Sequence, residues 1–367
     1  MDKKKVLILP GSLRVGGAEK VLLAIHQMYP EAPIYTSQYN PKGIDWFKDA
    51  DVRTGWMQIF PSGLRRFLAP LRQIYFNHLD LSDYDVIFSV TGAEAKSVKK
   101  GDAVHFCYCH VPTQYYWGFY DEYVKNPGFG KLLNPIVRFF FKLLVKPLRK
   151  ADYKAAQKPD YFITISNYAA EMIKKYYGRE AKVIAPGVEI EKFSNKTEPK
   201  KRSGFVHYSR QVSWKRQDLI IKACIEAGEK LTIIGDGPEH EQLVEVAHES
   251  KLVKFLPAQK SDELLKALNS AEGFIFPSLE PFGIAPVEAL SSGCPVIAYK
   301  KGGAADYVID GKNGVFFEKQ NTASIVRAIE KFKKCKFKYK DVVKSAKYFD
   351  VARFKREIAE FVNEKTK

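Results

Sequence analysis

The chain has 367 residues, enough for two α/β cores, since single hydrophobic cores stop growing beyond about 250–300 residues. Its 46% hydrophobic and 13% aromatic content excludes intrinsic disorder, and no run of eighteen apolar residues reads as a membrane span. The net charge of +17 points to anionic partners: nucleic acid, acidic lipid or phosphorylated small molecules.

In chain order, the apolar run Val6 to Leu9 closes on Pro10-Gly11 and reads as a buried parallel strand. It is too short for the core of a signal peptide. A glycine-containing turn, Gly11 to Glu19, leads into a helix over Ala18 to Met28. Further strands are predicted at Asp85–Ser89, Val104–Tyr108 and Tyr161–Ile165. Ser166 is placed to cap the next helix and Gly178 to end it. Alternation of strands and helices predicts a parallel sheet covered on both faces. The polar stretch Lys192–Gly204 reads as a linker. A second alternating series follows, with strands at Phe205–Tyr208, Leu231–Ile234, Gly273–Phe276 and Pro295–Ala298. Its helices are expected near Arg216–Ala227, Ser261–Asn269 and Pro286–Ser291. Asp350 caps a last helix with Phe354, Ile358 and Phe361 on one face. The resulting division is a first domain over 1–190, a linker over 191–204, a second domain over 205–345, and a C-terminal helix over 346–367 crossing back to the first domain. Ligands of such doubly wound pairs are expected at the carboxyl ends of the strands, in a central cleft.

One segment, 125–150, breaks this rhythm. It carries seven basic residues and no acidic one, interleaved with Leu, Ile, Val and Phe. Arg138, Lys142 and Lys146 recur at four-residue spacing and are expected on one helix face, suited to an anionic membrane surface. The alternative is a helix that packs its apolar side on the core.

Four features offer chemistry. Gly16-Gly17 lies after the first strand, where a backbone can approach a ligand at a helix start, although a plain turn explains it equally. Ser209, Arg210 and Lys215 follow the first strand of the second series, where a guanidinium and an ammonium can clamp a diphosphate, or can simply be solvated bases. The stretch PSLEPFGIAPVEAL places Glu280 before a turn and Glu288 inside a helix. The amides of Phe282, Gly283 and Ile284 between them suit an anion, which would turn both carboxylates toward neutral hydroxyls. The competing reading is helix-start chemistry alone. Cys107, Cys109 and His110 lack the second cluster a metal site needs, and Asp83-x-Asp85 stands at a strand start rather than its end. No metal is expected. The five cysteines form no disulfide framework and fit a reduced cytoplasmic compartment.

Glu280 and Glu288, the upstream Arg210 and Lys215, and Gly16-Gly17-Ala18-Glu19 together resemble glycosyltransferase family 4, retaining enzymes of the GT-B fold with two Rossmann-like domains. Cys107-Tyr-Cys-His-Val-Pro-Thr-Gln-Tyr-Tyr-Trp117 and Tyr176-Tyr-Gly-Arg179 are similar to a mannosyltransferase subgroup of O-antigen and lipid-linked glycan assembly. The chain departs from that subgroup at Gln114, where an arginine is usual. The resemblance implies a nucleoside-diphosphate sugar donor, GDP-mannose favoured, a lipid-linked or oligosaccharide acceptor, and no cofactor. By it, Arg210 and Lys215 neutralise the leaving diphosphate, Glu280 holds sugar hydroxyls, Glu288 the ribose, and His110 reaches the sugar. Gly16, Gly17, Ser209 and the amides of Phe282 to Ile284 line the donor. Gln114, Trp117, Arg138, Lys142 and Lys146 serve acceptor and membrane, and the enzyme works at the inner face of the cell membrane. Two other readings are a nucleotide-sugar 2-epimerase on the same scaffold and a nucleic-acid-binding protein. The first needs cleft carboxylates that cannot be assigned. The second needs basic residues interleaved with exposed aromatics along a groove, whereas here they alternate with aliphatics.

Overall fold

The computed structural model describes residues 4–13, 17–41, 43–61, 68–125, 127, 130–195 and 197–367, apart from the side chains of 130–132. The chain divides into two compact units, Met1–Ala185 with Lys355–Lys367, and Pro186–Phe354.

The first unit contains β1 (Val6–Pro10), α1 (Gly17–Met28), β2 (Ile34–Tyr35), β3 (Val52–Arg53), α2 (Ala69–Asn77), β4 (Val86–Val90), β5 (Val104–Cys109), α3 (Tyr120–Lys125), α4 (Gly130–Ala155), β6 (Tyr161–Thr164), α5 (Asn167–Tyr177) and β7 (Ala181–Val183). Its parallel sheet runs β3-β2-β1-β4-β5-β6-β7. β1 and β4 are buried along their whole length, as expected of strands covered on both faces. Ser166 caps α5 by accepting the Ala169 N–H at 3.1 Å, and Gly178 ends it at φ 65°.

The second unit holds β8 (Phe205–Tyr208), α6 (Gln217–Glu226), β9 (Leu231–Ile234), α7 (His240–Ala247), β10 (Val253–Leu256), α8 (Ser261–Ser270), β11 (Gly273–Phe276), α9 (Ile284–Ser291), β12 (Val296–Tyr299), β13 (Gly314–Phe317), α10 (Thr322–Lys334) and α11 (Tyr339–Ala346). Its sheet order is β10-β9-β8-β11-β12-β13, again parallel. The stretch read as a linker is fastened to this unit. Arg202 donates to the carbonyls of Leu268, Ala271 and Ser292 at 3.0–3.1 Å, and Phe193 is buried. Its polarity satisfies carbonyls at helix ends, which composition alone cannot distinguish from solvation.

The last helix, α12 (Val351–Lys365), begins in the second unit and ends in the first. Asp350 accepts the Arg353 N–H at 2.7 Å, and Phe361 packs against Phe106 and Tyr161 of the first sheet.

A buried polar hub organises the carboxyl end of the first sheet. Asp152 of α4 accepts from Lys96 (2.5 Å), Thr113 (3.0 Å), Trp117 (2.7 Å) and Tyr177 (2.8 Å). Lys96 also donates to the carbonyls of Gly92 and Ala93. Every partner is satisfied, so the loops after β4 and β5 are pinned to α4 and α5. Removing one member of such a buried pair typically costs about 3–5 kcal/mol.

α4 also has a bare outer face. Leu133, Ile136, Phe139, Phe140, Leu143 and Leu144 are exposed along one stripe, with Lys142, Lys146 and Lys150 exposed beside it. Arg138 departs from the expected basic face. Its guanidinium donates to the carbonyls of Val124 and Lys125 at 2.8 Å, closing the C-terminus of α3. No described helix is long and apolar enough to cross a membrane.

Candidate functional site

Parallel strands align their carboxyl ends, so in the second unit the loops after β8, β11 and β12 share one edge of the sheet. After β8 come Ser209, Arg210 and a 3-10 turn ending at Lys215. After β11 comes Pro277 to Gly283, and after β12 comes Lys300 to Gly303.

Glu280 and Lys215 meet there, with Lys215 Nζ 2.5 Å from Glu280 Oε1 and both side chains about one-fifth exposed (18% and 21%). Ser278 Oγ donates to the same oxygen at 2.7 Å. Arg210 is exposed and makes no ion pair with a described residue. Glu288, only 6% exposed, accepts from the Tyr208 hydroxyl at 2.8 Å. Burial, reinforced by the Glu288 charge, holds the Tyr208 phenol protonated far above its usual range.

The turn between the two carboxylates is fixed by packing. Gly283 sits at φ 86°, and a Cβ there would lie 2.6 Å from the Phe276 ring, so only glycine fits. Tyr307 Oη donates to the Phe282 carbonyl at 2.7 Å. In a trans peptide the Gly283 N–H then points the opposite way, away from Tyr307. The N–H groups of Phe282, Gly283 and Ile284 have no acceptor among the described residues, as expected at a helix start. The loop after β12 presses on this turn: Gly303 N–H donates to Glu280 O at 2.8 Å, and a Cβ on Gly303 would fall 2.2 Å from Pro281 O.

Beneath Ser209 runs a chain of hydrogen bonds whose direction is determined. His207 Nδ1 faces the Ile275 carbonyl at 2.8 Å and must carry the proton. Its Nε2 therefore accepts from Ser209 Oγ (2.8 Å), which accepts from Gln217 Nε2 (3.0 Å). Burial pushes the His207 pKa down to about 4, so the ring is neutral at pH 7. Ser209 thus spends its hydroxyl proton inward. On the same loop Gln211 binds the turn read at Gly235–Pro238, donating to Gly235 O at 2.7 Å.

The remaining expected residues lie in the first unit. Gly16 falls outside the described residues, while Gly17 opens α1. His110 follows β5; its Nε2 is shielded, with no hydrogen-bond partner among the described residues, and burial pushes its pKa down to about 4. Gln114 is exposed. Trp117 turns its indole N–H inward to Asp152 and stacks on Tyr176, so it braces the His110 loop from within. Asp85 accepts the Lys5 N–H at 2.7 Å, a strand-entry contact. Sequence reading did not find Ser278, Tyr208, Tyr307, Gly303 or the His207–Gln217 chain. Spacing of two between Ser278 and Glu280, and between His207 and Ser209, was the available signal.

Two parallel α/β units of seven and six strands define the GT-B architecture of glycosyltransferases. The lipopolysaccharide outer core galactosyltransferase WaaB, in its apo form, has this fold, with a TM-score of 0.72 over 98% of this chain and 99% of that one at 17% identity. Residues 188–349, most of the second unit, match the family Glycosyl transferases group 1. Glycogen synthase of Mycobacterium tuberculosis (strain CDC 1551 / Oshkosh) is 31% identical over 106 residues, 28% of this chain and 26% of that protein. The GDP-mannose-dependent alpha-(1-6)-phosphatidylinositol monomannoside mannosyltransferase of Mycolicibacterium smegmatis is 27% identical over 209 residues, 49% of this chain and 55% of that protein. The chain thus spans about half the length, or less, of these curated relatives. Fold and matched segment together give it the build of a GT-B glycosyltransferase.

Proposed function

We propose that the chain is a retaining glycosyltransferase of family 4 that moves a hexosyl unit, mannosyl favoured, from a nucleoside diphosphate to a lipid-linked or glycan acceptor at an anionic membrane surface on the cytoplasmic side. One observation carries the reading: Arg210, Lys215, the carboxylates of Glu280 and Glu288, and the open amides of Phe282 to Ile284 all stand on one sheet edge of the second unit. This set suits glycosyl transfer. As the bond from the sugar C1 to the diphosphate breaks, its electron pair stays on the departing phosphate oxygen. Arg210, Lys215 and the amides stabilise that charge, which requires no divalent cation. The acceptor hydroxyl attacks C1 from the same face and passes its proton to the departing oxygen, which preserves the anomeric configuration without an enzyme nucleophile. Glu280 takes sugar hydroxyls and Glu288 the ribose, each carboxylate aimed at a neutral partner.

GDP-mannose as donor is supported by the M. smegmatis relative, whose name states that dependence. A lipid-anchored acceptor is supported by the outer face of α4, with six large apolar side chains beside Lys142, Lys146 and Lys150.

The test is thermal unfolding against a panel of nucleoside diphosphates and their sugars, followed by transfer assays with and without EDTA. A cognate donor at 100 times its Kd stabilises by about 2.7 kcal/mol. GDP-mannose is expected to give the largest shift and transfer to survive chelation. A larger shift with a UDP-sugar overturns the donor, and loss of transfer in EDTA overturns metal independence.

A further inference from the structure

The Glu280 carboxylate is held by one oxygen only. Oε1 receives both the Lys215 ammonium at 2.5 Å and the Ser278 hydroxyl at 2.7 Å, while Oε2 receives no donor from any described residue. The loop that carries it is tied on either side. Gln320 Nε2 donates to Pro277 O at 2.8 Å, and Gly303 N–H to Glu280 O at 2.8 Å. Ser278 itself is 1% exposed, so it is out of reach of a ligand.

We propose that Ser278 is a positioning residue of the donor site: its hydroxyl fixes Glu280 Oε1 so that Oε2 faces the donor sugar. The inference rests on the donor-site reading above and deepens it. The two contacts on Oε1 differ in permanence. Lys215 is a mobile ammonium on a flexible stem, and a bound diphosphate competes for it with more negative charge than one carboxylate offers. Once Lys215 turns to the diphosphate, Glu280 loses its counter-charge and is repelled by the same phosphate. The Ser278 hydrogen bond is neutral on the donor side, buried, and two residues away on a pinned loop, so it survives the exchange. Glu280 then keeps its direction when the sugar needs it. A carboxylate anchored through one oxygen also offers a single acceptor, which selects one orientation of the sugar.

The experiment compares wild type with Ser278→Ala and Ser278→Thr on the best donor found in the panel, and on analogues each lacking one sugar hydroxyl. Ser278→Ala is expected to lower kcat/KM on the intact donor about tenfold or more, as loss of a hydrogen bond to a charged group does. On the analogue missing the hydroxyl that Glu280 receives, the loss shrinks to about twofold or less. Affinity for the free nucleoside diphosphate, which has no sugar, stays unchanged, and Ser278→Thr retains most of the activity. If Ser278→Ala does not fold, Ser278→Cys replaces it, because a thiol donates poorly to a carboxylate. Equal losses on every analogue, or a parallel fall in nucleoside-diphosphate affinity, reduce Ser278 to a structural residue. Undiminished kcat/KM in Ser278→Ala removes the role while leaving the donor site standing. A wild-type chain that transfers from no nucleoside-diphosphate sugar sinks the donor-site reading and this role together.

Discussion

Arg210 and Lys215 carry the same charge five residues apart, yet they rest in different states. Lys215 is neutralised by Glu280, whereas Arg210 is exposed with no ion pair among the described residues. A diphosphate meets Arg210 without breaking anything, but must win Lys215 from Glu280. Arg210→Ala and Glu280→Gln are each expected to lower transfer by about 10²–10³-fold, the scale of losing one group aimed at developing charge or at the reacting sugar. Circular dichroism should stay native, and near-normal turnover in either variant would contradict the site. Glu280 and Glu288 stood out in the sequence because two acids interrupt an otherwise apolar, glycine-turned stretch. Ser278, His207 and Gln217 did not. A serine in a loop is ordinary there, and the direction of the His207 chain follows only from the Ile275 carbonyl against Nδ1.

At the scale of elements, α4 shows what four-residue spacing can and cannot tell. Each step of four advances about 40° around the helix, so Arg138 and Lys146 lie about 80° apart. That drift carries Arg138 to the inner edge, where it closes α3, and leaves Lys142 and Lys146 outside. Changing Lys142, Lys146 and Lys150 together to Gln is therefore expected to weaken binding to anionic vesicles about 100-fold, at about 1 kcal/mol per lysine. Arg138→Gln should leave vesicle binding within about twofold and instead lower the melting temperature. Vesicle co-sedimentation and calorimetry separate the two; unchanged partitioning of the triple variant would favour a face that meets no membrane. The apolar stripe and the basic run were both legible. The hub at Asp152 was not, because an acid at a helix's end looks solvated until four donors from distant segments converge on it.

For the whole molecule, three neutral imidazoles bear on acid stability, His105 and His207 buried and His110 partly so. Burial pushes His105 to about 3 and His110 and His207 to about 4, against 6.5 in the unfolded chain. Above pH 6.5 neither state binds these protons, so stability is complete. As pH falls through 6.5 toward 4, the unfolded chain takes up protons that the folded one refuses, and stability declines. Near pH 5 the slope reaches roughly 4 kcal/mol per pH unit for three protons. Calorimetric scans from pH 7 to 5 should show a falling melting temperature, and a flat profile would contradict these burials. The doubly wound plan was legible because among the fully buried strands β1 spells an unbroken apolar run and β4 one interrupted only by Ser89. Strands of two residues such as β2 and β3 are too short to register, and in the part-exposed β10 a charged Lys254 interrupts the apolar run.

The route of the chain has a further consequence. The first unit is completed by residues 355–367, whose Phe361 covers Phe106 and Tyr161. During synthesis the ribosome delivers the whole second unit before that segment, so the first sheet must wait with part of its aromatic face uncovered. Its closure is a contact of very high sequence separation, late and slow by the entropy of so long a loop. The nascent chain is thus most open to chaperones, and to aggregation, while its second half is being made.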